Sequence, residues 1–182
     1  MSLSLEKKSI GTTDLKVTNI GMGGAPLGKL NEITARKILE KAYESGINYF
    51  DTAPLYGVGN SEKLYGNFLS NIQRDSFVIS SKVGRLILPE NEAKKLSLSN
   101  KITPAIETNF KASKYENNVV FNFSREGVLR SIEESLNRLK IDNLDIVFIH
   151  DPDDHYEIAL NETLPTLLEL KSQGVIKAIG AG

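Results

Sequence analysis

The chain has 182 residues, of which 40% are hydrophobic, 25% charged and 7% aromatic, the composition of an ordinary folded domain and not of a disordered or collagen-like chain. Its 22 Lys+Arg stand against 23 Asp+Glu, a net charge of -1, so no overall basic field is available to hold nucleic acid or anionic lipid. Cysteine is absent, which removes disulfides, thiolate nucleophiles and sulfur-based zinc sites.

Leu3 and Leu5 are followed by Glu6, Lys7 and Lys8, and no later stretch approaches the ~20 apolar residues of a membrane span, so neither a signal peptide nor a membrane is expected and the protein is expected in the cytoplasm. Residues 5–10 and 15–17, around Gly11-Thr12-Thr13-Asp14, read as a β-hairpin. Ile20-Gly21-Met22-Gly23 is the first strand candidate of the main body, and residues 34–45 place Ile38, Leu39, Ala42 and Tyr43 at helical spacing before Gly46. Residues 47–51 form a second strand. Ser61 is expected to cap a helix with Leu64, Tyr65, Phe68 and Leu69 on one face, and residues 77–83 form a third strand. Residues 124–139 are the strongest helix, with Val128, Leu129, Ile132, Leu136 and Leu139 on a 3.6-residue period and Ser124 as N-cap. Residues 144–149 are nearly all apolar, as suits a fourth strand covered on both faces. A helix over 164–173 ends at Gly174, and residues 175–181 form a fifth strand.

Strands separated by helices at this spacing are βαβ units, and right-handed crossovers put them in one parallel sheet. The class is α/β, in a single domain over residues 1–182. The third interval between strand ends is about twice the others, which marks an insertion over about 85–123. It contains Pro89, Pro104, a short helical possibility at 90–96 and the strand candidate Val119-Val120-Phe121. With no good crossover helix in it, it reads as a long irregular loop, and such loops are usually lids or substrate loops. Phe110, Tyr115 and Phe121 in it are candidates to line a pocket or to pack the loop on itself.

In folds of repeated βα units the chemistry sits at the carboxyl ends of the strands. Those ends carry Asp51, with Tyr56 in the following loop, then Lys82, then His150. The four types form a coherent acid–base set. A phenol, with an ordinary pKa of ~10, gives up its proton more readily beside an ammonium that stabilises the phenolate. Asp51 would hold Lys82 in a buried ion pair, and a neutral His150 would orient a carbonyl oxygen by donating a hydrogen bond. The competing reading makes Lys82 and Asp51 a structural pair; the presence of all four types weighs against it.

The run Asp51-Thr52-Ala53-Pro54-Leu55-Tyr56-Gly57, followed by Gly59-Asn60-Ser61-Glu62 and Gly66, resembles the signature of the aldo-keto reductases, and Lys82 and His150 match that family's two remaining catalytic positions. With the long insertion, Asn122-Phe123-Ser124-Arg125-Glu126-Gly127-Val128 and His150-Asp151-Pro152-Asp153, the chain is most similar to the branch containing D-threo-aldose (L-fucose) dehydrogenases and pyridoxal dehydrogenases. The resemblance implies a (β/α)8 TIM barrel, NAD or NADP as cofactor, and reversible hydride transfer to or from a carbonyl or sugar substrate. It makes Tyr56 the general acid or base, has Lys82 and Asp51 tune it, and gives His150 the orientation of the substrate. Gly23, Gly24, Ala25 and Asp51 would lie near the cofactor, where small residues let a ring approach the backbone.

A barrel needs eight units and the resemblance reaches Gly182 at the end of the fifth, so the expectation is a barrel truncated after that strand. The isolated 182 residues are then expected to be a poor or inactive enzyme, since the loops holding the cofactor's phosphates and adenine lie beyond and the choice of NAD or NADP is unreadable. The alternative is an inactive remnant or a noncatalytic binding module. Oligomeric state is not readable either. Gly21-Met22-Gly23-Gly24 begins like a Rossmann fingerprint, but Pro26 stands where the next glycine is required. His150, Asp151, Asp153, Asp154 and His155 equally suit a turn before a helix, so no metal is expected, and His155 is expected to be exposed.

Overall fold

A computed structural model of the chain describes residues 5–89, 92, 102–103 and 117–182. The expected hairpin is present as β1 (Lys7–Ser9) and β2 (Lys16–Thr18), paired antiparallel. The main body runs β3 (Met22–Gly23), α1 (Glu32–Glu44), β4 (Tyr49–Asp51), α2 (Asn60–Leu69) and β5 (Val78–Val83). After β6 (Arg85–Pro89), β7 (Ile102–Thr103) and β8 (Asn117–Phe121) it continues through α3 (Arg125–Leu139), β9 (Leu144–Ile149), α4 (Leu164–Ser172) and β10 (Ile176–Ala181). Among the described residues no helix is long and apolar enough to cross a membrane.

Five strands form one parallel sheet in the order β10-β9-β5-β4-β3. Each strand of this sheet thus pairs with the sheet's next strand in chain order, with no reversal. A doubly wound dinucleotide fold needs such a reversal at its switch point, so the strand order excludes the Rossmann reading of Gly21 to Gly24.

Alternation along the strands sorts the side chains. Ile79 and Val83 of β5 and Val147 and Ile149 of β9 meet Leu64 and Phe68 of α2, Val128 and Ile132 of α3 and Leu167 of α4 in the main core. On the opposite, inner face Val78, Ile146 and Ala178 pack with Leu15 and Val17 of the hairpin, which covers the N-terminal end of that face. The helices are tied by buried charge as well. Glu62 of α2 is fully buried, accepts from the Ser81 hydroxyl at 2.7 Å and from Arg138 Nε of α3 at 2.6 Å.

Ser124 is the N-cap of α3, its hydroxyl accepting from the Gly127 amide at 3.1 Å. Leu129, placed in the apolar stripe of this helix by its period, is 38% exposed. Ser61 does not cap α2. It lies inside the first turn, where its hydroxyl accepts from Thr52 Oγ1 and donates to the Gly24 carbonyl, both at 2.9 Å, and Gly59 takes the N-cap position. A buried inter-element partner outcompeted the local amide.

The insertion is not an irregular loop. Its described strands form a three-stranded antiparallel sheet in the order β6-β8-β7. Gly84, at φ +103°, makes the turn that sends the chain straight from β5 into β6, and the Phe123 ring occupies the space a Cβ would take there. Ile87 and Val119 of this sheet pack on Leu55 and Val58, which flank Tyr56. The helical possibility at 90–96, apart from Glu92, and Phe110 and Tyr115 lie outside the described residues.

Candidate active site

The inner face of the sheet turns polar at the carboxyl ends of its strands. Asp51 closes β4, Lys82 is the fifth residue of β5, and His150 follows β9, its amide donating to the Val83 carbonyl at 3.0 Å. Tyr56 sits in the turn after β4, held by its own amide on Ala53 O at 3.1 Å and by the Ser61 amide on Tyr56 O at 3.1 Å.

These four side chains are neighbours. Lys82 Nζ donates to Asp51 Oδ1 and Oδ2 at 2.7 and 2.8 Å and to the Thr52 carbonyl at 3.1 Å. It stands 5.1 Å from the centroid of the Tyr56 ring, whose edge meets the His150 ring at 6.0 Å between centroids. The hydrogen-bond acceptors of Lys82 Nζ among the described residues are the Asp51 carboxylate and the Thr52 carbonyl, and Tyr56 is not one of them. Asp51 Oδ1 also accepts from the Ser80 hydroxyl at 2.6 Å, and Ser80 Oγ in turn lies 3.1 Å from the Tyr49 hydroxyl. With its own proton on Asp51, Ser80 receives the proton of Tyr49.

His150 is 6% exposed and its ring is neutral at ordinary pH. Burial away from water, with the guanidinium of Arg85 next in importance, lowers its pKa to about 4. Its Nδ1 is buried without a hydrogen-bond partner among the described residues.

Beside Asp51 and Lys82 lies a cavity of ≈ 420 Å³, lined also by Gly21, Gly23, Tyr49, Phe148 and Gly182. Tyr56 and His150 are not in its wall; they stand alongside Lys82. A Cβ at Gly23 would meet nothing within 4 Å, so this position is open to a flat group. Gly24 has a different reason to be small, because a Cβ there would run into the Asp51 carbonyl at 2.8 Å and the Tyr65 ring at 2.8 Å. Ala25 is half-buried and is not part of the cavity wall.

Arg85, which sequence reasoning passed over, closes the group from the insertion side. Its side chain is 10% exposed, pairs with Asp151 Oδ2 at 2.8 Å and lies 4.4 Å from the centroid of the Phe121 ring. The signal available was a charged residue immediately after Lys82-Val83-Gly84. His155 is not exposed as expected. Its ring packs against Phe121 and Phe123 at 4.8 and 5.1 Å between centroids. Among the described residues no group of three or more His, Asp or Glu is placed to hold a metal ion.

Proteins similar to this chain are numerous. The chain is 35% identical to D-threo-aldose 1-dehydrogenase of a Pseudomonas species, over 99% of this chain and 54% of that protein. It is 36% identical to pyridoxal 4-dehydrogenase of Microbacterium luteolum, over 97% of this chain and 55% of that one. The chain therefore spans about half the length of these relatives. Among solved structures, an aldo-keto reductase from Bacillus halodurans in its holo form superposes with a TM-score of 0.73 at 29% identity, covering 98% of this chain and 50% of that one. The sequence of the aldo/keto reductase family matches residues 19–182, from the approach to β3 through β10 and across every strand end that carries the polar cluster. The chain belongs to the aldo/keto reductase family.

Proposed function

We propose that this chain carries the acid–base half of an NAD- or NADP-dependent oxidoreductase that interconverts a carbonyl compound and its alcohol. The observation that carries this reading is the packing of Asp51, Lys82, Tyr56 and His150 into one group at the strand ends. Support for an aldose, pyridoxal or another aldehyde as substrate comes from the names of the relatives. The strictly sequential strand order supports reading the sheet as five consecutive units of an eight-unit barrel.

The cavity beside Asp51, with its open space at Gly23 and the rings of Tyr49 and Phe148 in its wall, suits a flat aromatic ring. Gly23 and Asp51 are the residues best placed to hold a nicotinamide there; Gly24 and Ala25 would shape the backbone beneath. A bound nicotinamide supplies or accepts the hydride. Everything else falls to the protein. In reduction the Tyr56 hydroxyl gives its proton to the substrate oxygen as hydride reaches the carbon, and in oxidation the phenolate takes that proton back. Lys82, fixed by Asp51 and Thr52, stabilises the phenolate by charge. The neutral His150 ring donates a hydrogen bond to the substrate oxygen and fixes its direction. The insertion sheet, packed on Leu55 and Val58 beside Tyr56, is the element best placed to select the carbonyl compound.

The test is turnover of aldoses, pyridoxal and simple aldehydes with NADH, NADPH and their oxidised forms, by a polypeptide carrying this chain and by its Tyr56→Phe variant. Turnover by the parent and its loss in the variant with cofactor affinity retained support the reading. Equal turnover in both removes Tyr56 from the mechanism, and no binding of either cofactor favours a noncatalytic role.

A further inference from the structure

Resting on the proposed catalytic reading of His150, a second buried cation in the same group requires its own account. Arg85 comes from the insertion and not from the parallel sheet, and it is as deeply buried as Lys82, each side chain being 10% exposed. Its guanidinium lies against the Phe121 ring, and its Nε is buried with no hydrogen-bond partner among the described residues. Among the described residues its ion-pair partner is Asp151. Asp151 is itself unusual. It follows His150 directly, its φ is +44°, and its amide is tied to the Gly182 carbonyl at 3.1 Å. Its Oδ2, the atom that accepts the hydrogen bond from Arg85 Nη2, stands 3.5 Å from His150 Nε2.

We infer that Arg85 is a positioning residue: by engaging the Asp151 carboxylate it prevents that carboxylate from drawing a second proton onto the adjacent imidazole, and so keeps His150 a neutral donor facing the substrate.

The electrostatics agree with the geometry. Among the described residues the charged groups around the His150 ring are Asp51 from β4, Lys82 from β5, Arg85 from β6 and its own neighbour Asp151, with the Tyr56 ring from the turn after β4. The cations lower the pKa of the ring and the carboxylates raise it, Arg85 being the strongest of the four after burial itself. Removing Arg85 alone leaves a carboxylate 3.5 Å from Nε2 without its partner. That is the arrangement that holds an imidazolium. A protonated His150 would still donate a hydrogen bond, but it would also place a proton donor that competes with Tyr56 and would charge a buried pocket.

The chain has two histidines, so the titration of each is readable by NMR of histidine-labelled protein, with His155→Gln assigning the pair. In Arg85→Gln the His150 midpoint is expected to move up by about one pH unit or more, the size a neighbouring charge produces within ~6 Å. In Asp151→Asn, where asparagine tolerates the positive φ, it is expected to move down. Opposite directions are the signature, because simple loosening of the pocket would admit water and move the ring up in both variants. An upward move in both, or no move in Arg85→Gln, overturns the inference. If Arg85→Gln does not fold, the Asp151→Asn arm decides alone: a downward move supports the role, and an unchanged or raised midpoint rejects it. In an active polypeptide the acid limb of kcat/KM of Arg85→Gln should move up with the His150 midpoint. Absence of turnover in the parent would reject the proposed activity while leaving the titration to decide the role of Arg85.

Discussion

The two ends of the inner sheet face share strands but not chemistry. At the N-terminal end Val78, Ile146 and Ala178 pack under Leu15 and Val17 of the hairpin, which closes that end against water. Four residues further along β5 and β9, on the same face by alternation, stand Lys82 and His150, with Asp51 beside them at the end of β4 and Tyr49, Ser80 and Phe148 between the two layers. A strand cannot change which face a position serves, but it can change what it offers along its length. Apolar packing is placed under the hairpin, and the polar groups at the strand ends, where folds of repeated βα units carry their chemistry.

The largest effect expected is at the polar end. Tyr56→Phe should lower turnover by roughly 10²-fold or more, since positioned proton transfer contributes about 10²–10⁴, with little change in urea midpoint. Steady-state rates and a denaturation curve on the same variant check it. A variant that lost stability and kept activity would erase the division between the two ends.

Ile146→Ala, at the apolar end, should do the reverse. The side chain is 2% exposed, and truncating a buried isoleucine costs about 2–5 kcal/mol. Urea unfolding measures the loss, and a KM and kcat close to the parent under conditions where the variant is folded would sharpen the comparison.

The pH dependence of stability draws the same line. His150 has its pKa lowered by burial to about 4 against an ordinary 6.5. The unfolded chain therefore takes up a proton that the fold refuses, and stability falls as pH drops from about 6.5 toward about 4. The loss due to this group is on the order of 3 kcal/mol, and it is absent at pH 8. His150→Asn should flatten that part of the curve relative to the parent, measured by urea unfolding at several pH values. An equal slope in both would mean that the ring is not held neutral.

Ser124→Ala touches neither end. It removes the cap of α3 and should cost about 1 kcal/mol, within the ~0.5–2 typical of such caps. Thermal unfolding checks it, and a loss of activity beyond that expected from stability would show that the helix start supports the site.

Residues 144–149 were readable as a strand to the residue, and Ser124 as a cap, because each depends on neighbours close in sequence: a continuous apolar run in one case, an amide three positions on in the other. Ser61 had the same local qualification and was claimed instead by Thr52 and Gly24. Leu129 kept the helical period and still faces solvent, since the packed stripe of α3 is narrower than its apolar sequence. The insertion sheet was unreadable for a further reason. Arg85–Pro89 finds its partner in Asn117–Phe121, some thirty residues away, and neither segment alone states that the other exists.

Sequence by itself determined the alternation of strands and helices, the parallel sheet and the residue types at the strand ends, because periodicity and turn chemistry are local properties of a chain. It also carried the family resemblance, through the run from Asp51 to Gly66. Only the tertiary structure decided that Lys82 donates to the Asp51 carboxylate and the Thr52 carbonyl, that His155 is packed against Phe121 and Phe123, and that Arg85 reaches Asp151 beside His150. Those facts depend on distances between segments far apart in the chain, and burial, which sets the protonation of His150, exists only once those segments have met.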